Sequence, residues 1–151
     1  MKKLTWKFSI LAVLILLASI AERNSPVAAD DQVAIIVNPS NTVSGMSLAD
    51  VHKIFLGEKS TWSNGKHILL IMAAPGSTER AVVLKNIYKM SETDYAKYFL
   101  QASFTGAVSA PPKDASSSAE VKKLVAENPG AIGYVNQQDV GDSVKVVLKV
   151  P

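Results

Sequence analysis

The sequence predicts an α/β domain in which a mixed sheet is flanked by helices. Short apolar runs rich in β-branched residues, such as Val33–Val37 and residues 131–135, are typical of buried strands. Segments with helical periodicity lie between these runs, and residues 144–150 alternate like an edge strand. Strands interleaved with helices favour a layered α/β architecture, although the pattern does not give the strand order.

The first segment is predicted to be a secretory signal peptide, residues 1–29. Lys2, Lys3 and Lys7 precede an apolar run over residues 8–21, and small residues follow at 27–29. A membrane anchor would need about 20 apolar residues, and this run is shorter. A second cleavage position after Ala21 stays open. Residues 30–151 are then expected to form one domain.

Charge and cysteine content narrow the class of protein. The whole chain has 16 Lys and Arg against 13 Asp and Glu, but the leader holds four of the bases and one of the acids. The remaining 12 bases and 12 acids balance, which argues against a nucleic-acid or anionic-membrane partner. The chain has no cysteine, so it has neither a disulfide nor the thiol of a lipid anchor. We expect an exported protein, periplasmic or secreted, whose mature form is not embedded in a membrane.

The elements of the first half follow from caps and turns. Strand Val33–Val37 ends at an Asn-Pro-Ser-Asn sequence, and Ser47 with Asp50 forms a capping pattern for a helix. Gly57 is predicted to end that helix in the left-handed conformation. A second strand is expected over residues 67–72, after an Asn-Gly turn.

The second half has three helical segments before its last strands. The first carries a stripe that starts at Arg80 and includes Val83, Leu84, Ile87 and Tyr88. Serines are expected to cap the next two helices, at Ser91 and Ser117. A loop rich in Pro and Ser separates them, and an Asn-Pro-Gly sequence ends the third helix before the strand at 131–135.

The turn between the second strand and the next helix is the candidate binding site. Gly76 allows close approach of a ligand to the backbone, and the amides at a helix start favour an oxyanion. Ser77 and Thr78 can donate hydroxyl groups, and Arg80 can hold two oxygens with its guanidinium.

Two structural explanations compete with binding at this turn. Ser77 or Thr78 can cap the helix, with Glu79 in the favourable field of the helix dipole. Arg80 begins the core-facing stripe, so it needs an anionic partner. The sequence leaves open whether that partner is a ligand or a carboxylate; the candidate carboxylates are Glu79, Asp50 and Asp114.

An enzyme is disfavoured, and no cofactor or metal is expected. His52 and His67 lack the spacing of metal ligands and have no acid or nucleophile partner. Neither a Ser-His-Asp arrangement nor a Walker loop occurs in the sequence.

Four segments in order carry a resemblance to a known family. They are LADVHKIFLGEKSTWSNG, APGSTERAVVLKNIY, FTGAVSAPP and VAENPGAIGYV. Together they resemble the phosphate-binding proteins of ABC transporters, which have the type 2 periplasmic-binding fold, and in particular their short, single-lobed relatives. The resemblance extends from Val33 to Val135. It implies a single lobe of that fold, hinge closure over an oxyanion together with a second lobe-bearing protein or second copy, and docking on an ABC permease.

The resemblance also shows departures at the turn. The family loop has the form Arg-Ser-x-Gly-Ser-Gly-Thr and falls on residues 73–79, where Gly76 and Ser77 match. Ala73 replaces the anion-binding arginine, Ala74 the first serine of the loop, and Glu79 the threonine. The leading hypothesis is an exported, non-catalytic protein that binds phosphate or a similar oxyanion at Gly76, Ser77, Thr78 and Arg80. The alternative is a single-lobe protein-interaction module whose anion site has decayed.

Overall fold

The computed structural model describes residues 32–151, which form one five-stranded sheet with helices on both faces. The predicted leader lies outside the described residues. The strands are β1 (Val33–Val37), β2 (Leu69–Met72), β3 (Lys113–Asp114), β4 (Ala131–Asn136) and β5 (Lys145–Val150). The α-helices are α1 (Leu48–Phe55), α2 (Thr78–Val83), α3 (Glu92–Thr105) and α4 (Ser118–Glu127). A π-helical turn (Leu84–Tyr88) continues α2, and a short 3-10 helix (Gln137–Asp139) follows β4.

The sheet is mixed, as the sequence predicts, and its order is β3-β2-β4-β1-β5. β2 pairs in parallel with β3 and β4, whereas β1 pairs antiparallel with β4 and β5. β5 is an edge strand, which confirms the interpretation of its alternating pattern. Parallel pairing places the carboxyl ends of β2, β3 and β4 at one edge of the sheet, next to the candidate turn.

The core has two layers, one on each face of the sheet. Side chains of β1 alternate between them: Val33, Ile35 and Val37 face the larger layer, and Ala34 and Ile36 face the smaller one. The larger layer is covered by α1, α2, the π-helical turn and α3. The smaller layer is covered by α4. β1 is therefore buried on both faces, which explains its continuous apolar sequence.

Serine caps begin each of the four α-helices in residues 32–151. The side chains of Ser47, Ser77, Ser91 and Ser117 each accept a hydrogen bond from the amide three residues later. The three capping serines predicted outside the turn are thus confirmed. Gly57 ends α1 with a φ of 78°, also as predicted.

Three features differ from the sequence-based expectation. The stripe from Arg80 to Tyr88 is buried as predicted, but its second half is a π-helical turn that ends at Lys89 in the left-handed conformation. The loop rich in Pro and Ser contains β3, which exists because residues 113–114 pair with the end of β2. The second strand begins at Leu69, and His67 forms only an isolated bridge with Thr61.

Phe104 is 84% exposed at the end of α3, whereas Trp62 and Tyr134 are buried. None of the helices within residues 32–151 combines the length and the apolar character needed to cross a bilayer.

The junction before β4 depends on a glycine at position 130. The carbonyl of Gly130 accepts hydrogen bonds from the Leu69 amide at 3.1 Å and from the indole Nε1 of Trp62 at 2.9 Å. A Cβ atom at this position would lie 2.1 Å from the carbonyl oxygen of His67. Close backbone approach at this junction therefore aligns the first residues of β2 and β4.

We expect Gly130→Ala to destabilise the protein by about 1–3 kcal/mol, because the added methyl group overlaps a backbone carbonyl that cannot move freely. Urea unfolding measures this change. Gly141→Ala is the matched control, since a Cβ at Gly141 meets nothing within 4 Å. Equal stabilities for the two variants would contradict the prediction.

Candidate functional site

The candidate site is the turn between β2 and α2. Ala73 directly follows β2, and its amide donates a hydrogen bond to the hydroxyl of the buried Tyr134 at 3.1 Å. Gly76 adopts a φ of 84°, which glycine tolerates without strain. Ser77 donates its amide to the Ala74 carbonyl at 3.1 Å and accepts from the Arg80 amide at 3.3 Å. The turn is thus fixed at both ends, and the predicted capping role of Ser77 is confirmed.

Arg80 lies behind the turn and is 3% exposed. Its Nε and Nη2 donate to both carboxylate oxygens of Glu92, at 2.7 to 3.1 Å. Its Nη1 donates to Asp114 Oδ1 at 2.8 Å and to the Ala73 carbonyl at 2.9 Å. The guanidinium is therefore held on several sides by the polypeptide itself.

The two carboxylates reach Arg80 from solvent. The side chains of Glu92 and Asp114 are 47% and 55% exposed, whereas that of Arg80 is 4% exposed. Burial alone would lower the pKa of Arg80, but the hydrogen bonds to Glu92 and Asp114 outweigh it and raise that pKa above its ordinary value. The guanidinium therefore stays charged in the core. Arg80, Glu92 and Asp114 together have a negative formal charge.

An aromatic ring completes the surroundings of Arg80. The guanidinium carbon lies 4.9 Å from the ring centroid of Tyr95, which is a cation–π contact. Tyr95 packs edge-on against Tyr88, and burial raises the pKa of Tyr95 to about 12. The tyrosine is therefore neutral at physiological pH and adds no charge to the site.

A cleft of about 380 Å³ lies in front of the turn. The beginnings of α2 and α3 meet there, and their lining residues include Gly76, Ser77 and Ser91. The exposed Lys85 and the carboxylate-bearing Glu92 also line it. Thr78 and Arg80, which the sequence assigned to the same site, do not line this cleft. Exposed Thr78 follows Ser77 as the first residue of α2.

The sequence prediction for the partner of Arg80 is partly confirmed. Of the candidate carboxylates, Asp114 binds the guanidinium, whereas Glu79 and Asp50 do not. Glu92 was missed because it lies on the next helix, with no periodic relation to Arg80. In this structure the donors of Arg80 face protein oxygens, and its assignment to an anion stays a prediction.

The two histidines lie apart from this turn. The Nδ1 of His52 lies 2.6 Å from the Ile87 carbonyl and joins α1 to the π-helical turn. His67 is exposed, in the bridge with Thr61. Within residues 32–151, His, Cys, Asp and Glu form no group of three or more that could hold a metal ion.

Comparison with known proteins identifies the family. Residues 18–147, which are most of the chain, match the family model of the PBP superfamily domain. The phosphate-binding protein PstS of Bacillus subtilis (strain 168) is 32% identical over 128 residues. That match covers 80% of this chain but 38% of the relative, so the chain spans well under half the length of that protein.

Solved structures share the fold. An ABC-type phosphate transport receptor from Vibrio cholerae matches with a TM-score of 0.59 and 19% identity, over 76% of this chain and 44% of the receptor. A candidate phosphate ABC transporter substrate-binding protein from Clostridium perfringens, solved with bound phosphate, matches with a TM-score of 0.61 and 24% identity. That match covers 76% of this chain and 43% of the other. These structural similarities confirm the fold that was expected for a single lobe.

We expect Arg80→Met to destabilise the protein by about 2–4 kcal/mol, because the Ala73 carbonyl loses a buried donor and two carboxylates lose their common partner. Urea unfolding tests this. Lys85→Met is the control: Lys85 is exposed on the same helical segment, and its replacement should cost less than about 0.5 kcal/mol. Similar costs for both variants would contradict a structural role for Arg80.

Proposed function

Because this chain belongs to the PBP superfamily, we propose that it is an exported, non-catalytic solute-binding protein that binds phosphate or a similar oxyanion. Its sequence relative in Bacillus subtilis is a phosphate-binding protein, and a structural neighbour holds bound phosphate. The chain would thus be related in function to the substrate-binding components of phosphate ABC transporters.

The observation that carries this proposal is the cleft over Gly76 and Ser77. Helix beginnings present partial positive charge, and α2 and α3 both begin at this cleft. The ammonium group of Lys85 adds a full positive charge to the lining. An oxyanion there would accept hydrogen bonds from the turn amides and from the hydroxyl of Ser77, whereas Thr78 lies outside the cleft lining.

Arg80 has a different part in the proposed site from the one the sequence suggested. Its hydrogen bond to the Ala73 carbonyl and its contacts with α3 and β3 position the turn from behind. The negative charge of Glu92 at the cleft opposes an anion, so the lobe by itself would bind weakly. Weak binding by one lobe agrees with a role for a second lobe.

The proposed partners follow from the size of the chain. The relatives are more than twice as long as the matched part of this chain. We propose that a second lobe-bearing protein, or a second copy of this chain, closes over the anion, and that an ABC permease receives it. Within this scheme the protein acts outside the cytoplasm.

The engagement of Arg80 favours a second candidate function. Ala73 stands at the family's arginine position, and the nearby Arg80 is bound by Glu92 and Asp114. A lobe with its anion site decayed would serve as a protein-interaction module. The exposed apolar side chains of Leu100 and Phe104 on α3 would be its natural contact surface.

Calorimetric titration of residues 30–151 with phosphate and with sulfate tests the leading proposal. We expect millimolar or tighter binding, and we expect Ser77→Ala to weaken it about tenfold by removing a hydroxyl donor at the cleft. Ser117→Ala is the matched control, since it also removes a helix cap but lies at α4, away from the cleft. An absence of heat and of thermal shift at millimolar anion would refute the proposal.

The interaction module makes a different prediction. Phe104→Ser should abolish capture of a protein partner in a pull-down from the export compartment, because it removes the most exposed large apolar side chain of α3. Lys97→Ser, an exposed polar change on the same helix, is the control. Partner capture that is unaffected by Phe104→Ser would count against this surface.

A further inference from the structure

We infer that Glu92 is an internal competitor for the anion, a carboxylate that occupies the guanidinium of Arg80 until a bound oxyanion displaces it. This inference rests on the proposed oxyanion binding at the cleft. It adds a regulatory contact within the lobe, because the carboxylate of Glu92 covers the guanidinium of Arg80 that a ligand would otherwise reach.

The hydrogen-bond geometry is that of a bound oxyanion. Nε of Arg80 donates to Oε2 and Oε1 of Glu92 at 3.0 and 3.1 Å, and Nη2 donates to Oε1 at 2.7 Å. Arginine makes the same arrangement with carboxylate and with phosphate: two adjacent guanidinium nitrogens face two oxygens of one anion. The oxygens of Glu92 therefore occupy the positions that two oxygens of a phosphate would take.

The two carboxylates on Arg80 are not equivalent. Asp114 binds Nη1, beside the Ala73 carbonyl, and does not line the cleft. Glu92 binds the Nε and Nη2 edge and does line the cleft. An anion that enters the cleft meets Glu92 before Arg80. Removal of Glu92 opens the guanidinium to the cleft, whereas removal of Asp114 opens a different side.

Displacement of Glu92 requires no rearrangement of the fold. Glu92 is the first residue of α3, and Ser91 holds the helix start through its own bond to the Asp94 amide. The Glu92 side chain is about half exposed, so its carboxylate can turn into solvent and regain hydration. Arg80 stays paired throughout, with Asp114 and then with the incoming anion as well.

Competition of this kind lowers affinity without closing the site. The apparent dissociation constant rises by the inverse of the fraction of molecules in which the guanidinium is uncovered. If Glu92 covers Arg80 about nine-tenths of the time, binding weakens about tenfold. The lobe would then hold phosphate only at high concentration, or when a second lobe adds its own contacts.

The test compares Glu92→Gln with Asp114→Asn in the protein as the cell produces it from the full chain, titrated with inorganic phosphate. Both variants remove one negative charge beside Arg80, but only Glu92 lines the cleft, so the Arg80 resonance described below separates displacement of Glu92 from loss of its charge alone. We expect Glu92→Gln to bind phosphate about tenfold more tightly than the unaltered protein, and Asp114→Asn to change affinity less than about twofold. Urea unfolding of both variants checks that each is folded.

The outcomes distinguish failure of this inference from failure of the proposed function. Phosphate binding by the unaltered protein with no gain in Glu92→Gln, or an equal gain in both variants, overturns the inference and leaves the proposed function standing. Binding by Glu92→Gln alone supports the covering of Arg80 by Glu92 but refutes the proposed binding of phosphate by the unaltered protein. An absence of binding in all three proteins overturns both.

A measurement on the unaltered protein decides the matter if Glu92→Gln does not fold. The Nε–H resonance of Arg80, followed by NMR during phosphate titration, reports the acceptor that faces this nitrogen. Displacement of Glu92 predicts a saturable shift of that resonance. An unchanged Arg80 resonance at saturating phosphate would overturn the inference.

Discussion

The buried guanidinium of Arg80 is the interaction on which this end of the fold depends. A cation in the core is tolerated only where charge and hydrogen bonds compensate for lost hydration. Arg80 obtains both by drawing three separate parts of the chain together: the end of β2 at Ala73, β3 at Asp114 and the start of α3 at Glu92. Tyr95 adds its ring face. The hydrogen bonds that compensate the buried Arg80 thus also fix the position of the candidate turn.

The same requirement shapes the chemistry of the site. A positive charge that stabilises the fold through its own carboxylates is not free to attract a solute at the same time. The cleft therefore combines features that favour an anion, the helix beginnings and Lys85, with one that opposes it, Glu92. The carboxylate that stabilises Arg80 is thus also the one that opposes an anion at the cleft. The proposed weak binding by a single lobe rests on this balance.

Family membership places these residues in a larger architecture. The chain spans 38% of its Bacillus subtilis relative and less than half of the solved structures it matches, yet its 32–151 region holds a sheet with a core layer on each face. Such a unit can be stable without disulfides, in agreement with the absence of cysteine.

The sequence by itself determined the features that arise from neighbouring residues. Serine caps at Ser47, Ser91 and Ser117, the left-handed Gly57 and the buried stripe that begins at Arg80 follow from local hydrogen bonding and periodicity. Only the tertiary structure decided the strand order, the pairing that makes β3, and Glu92 as the principal partner of Arg80. These depend on contacts between segments distant along the chain, because packing, rather than local spacing, brings a carboxylate from α3 onto a guanidinium of α2.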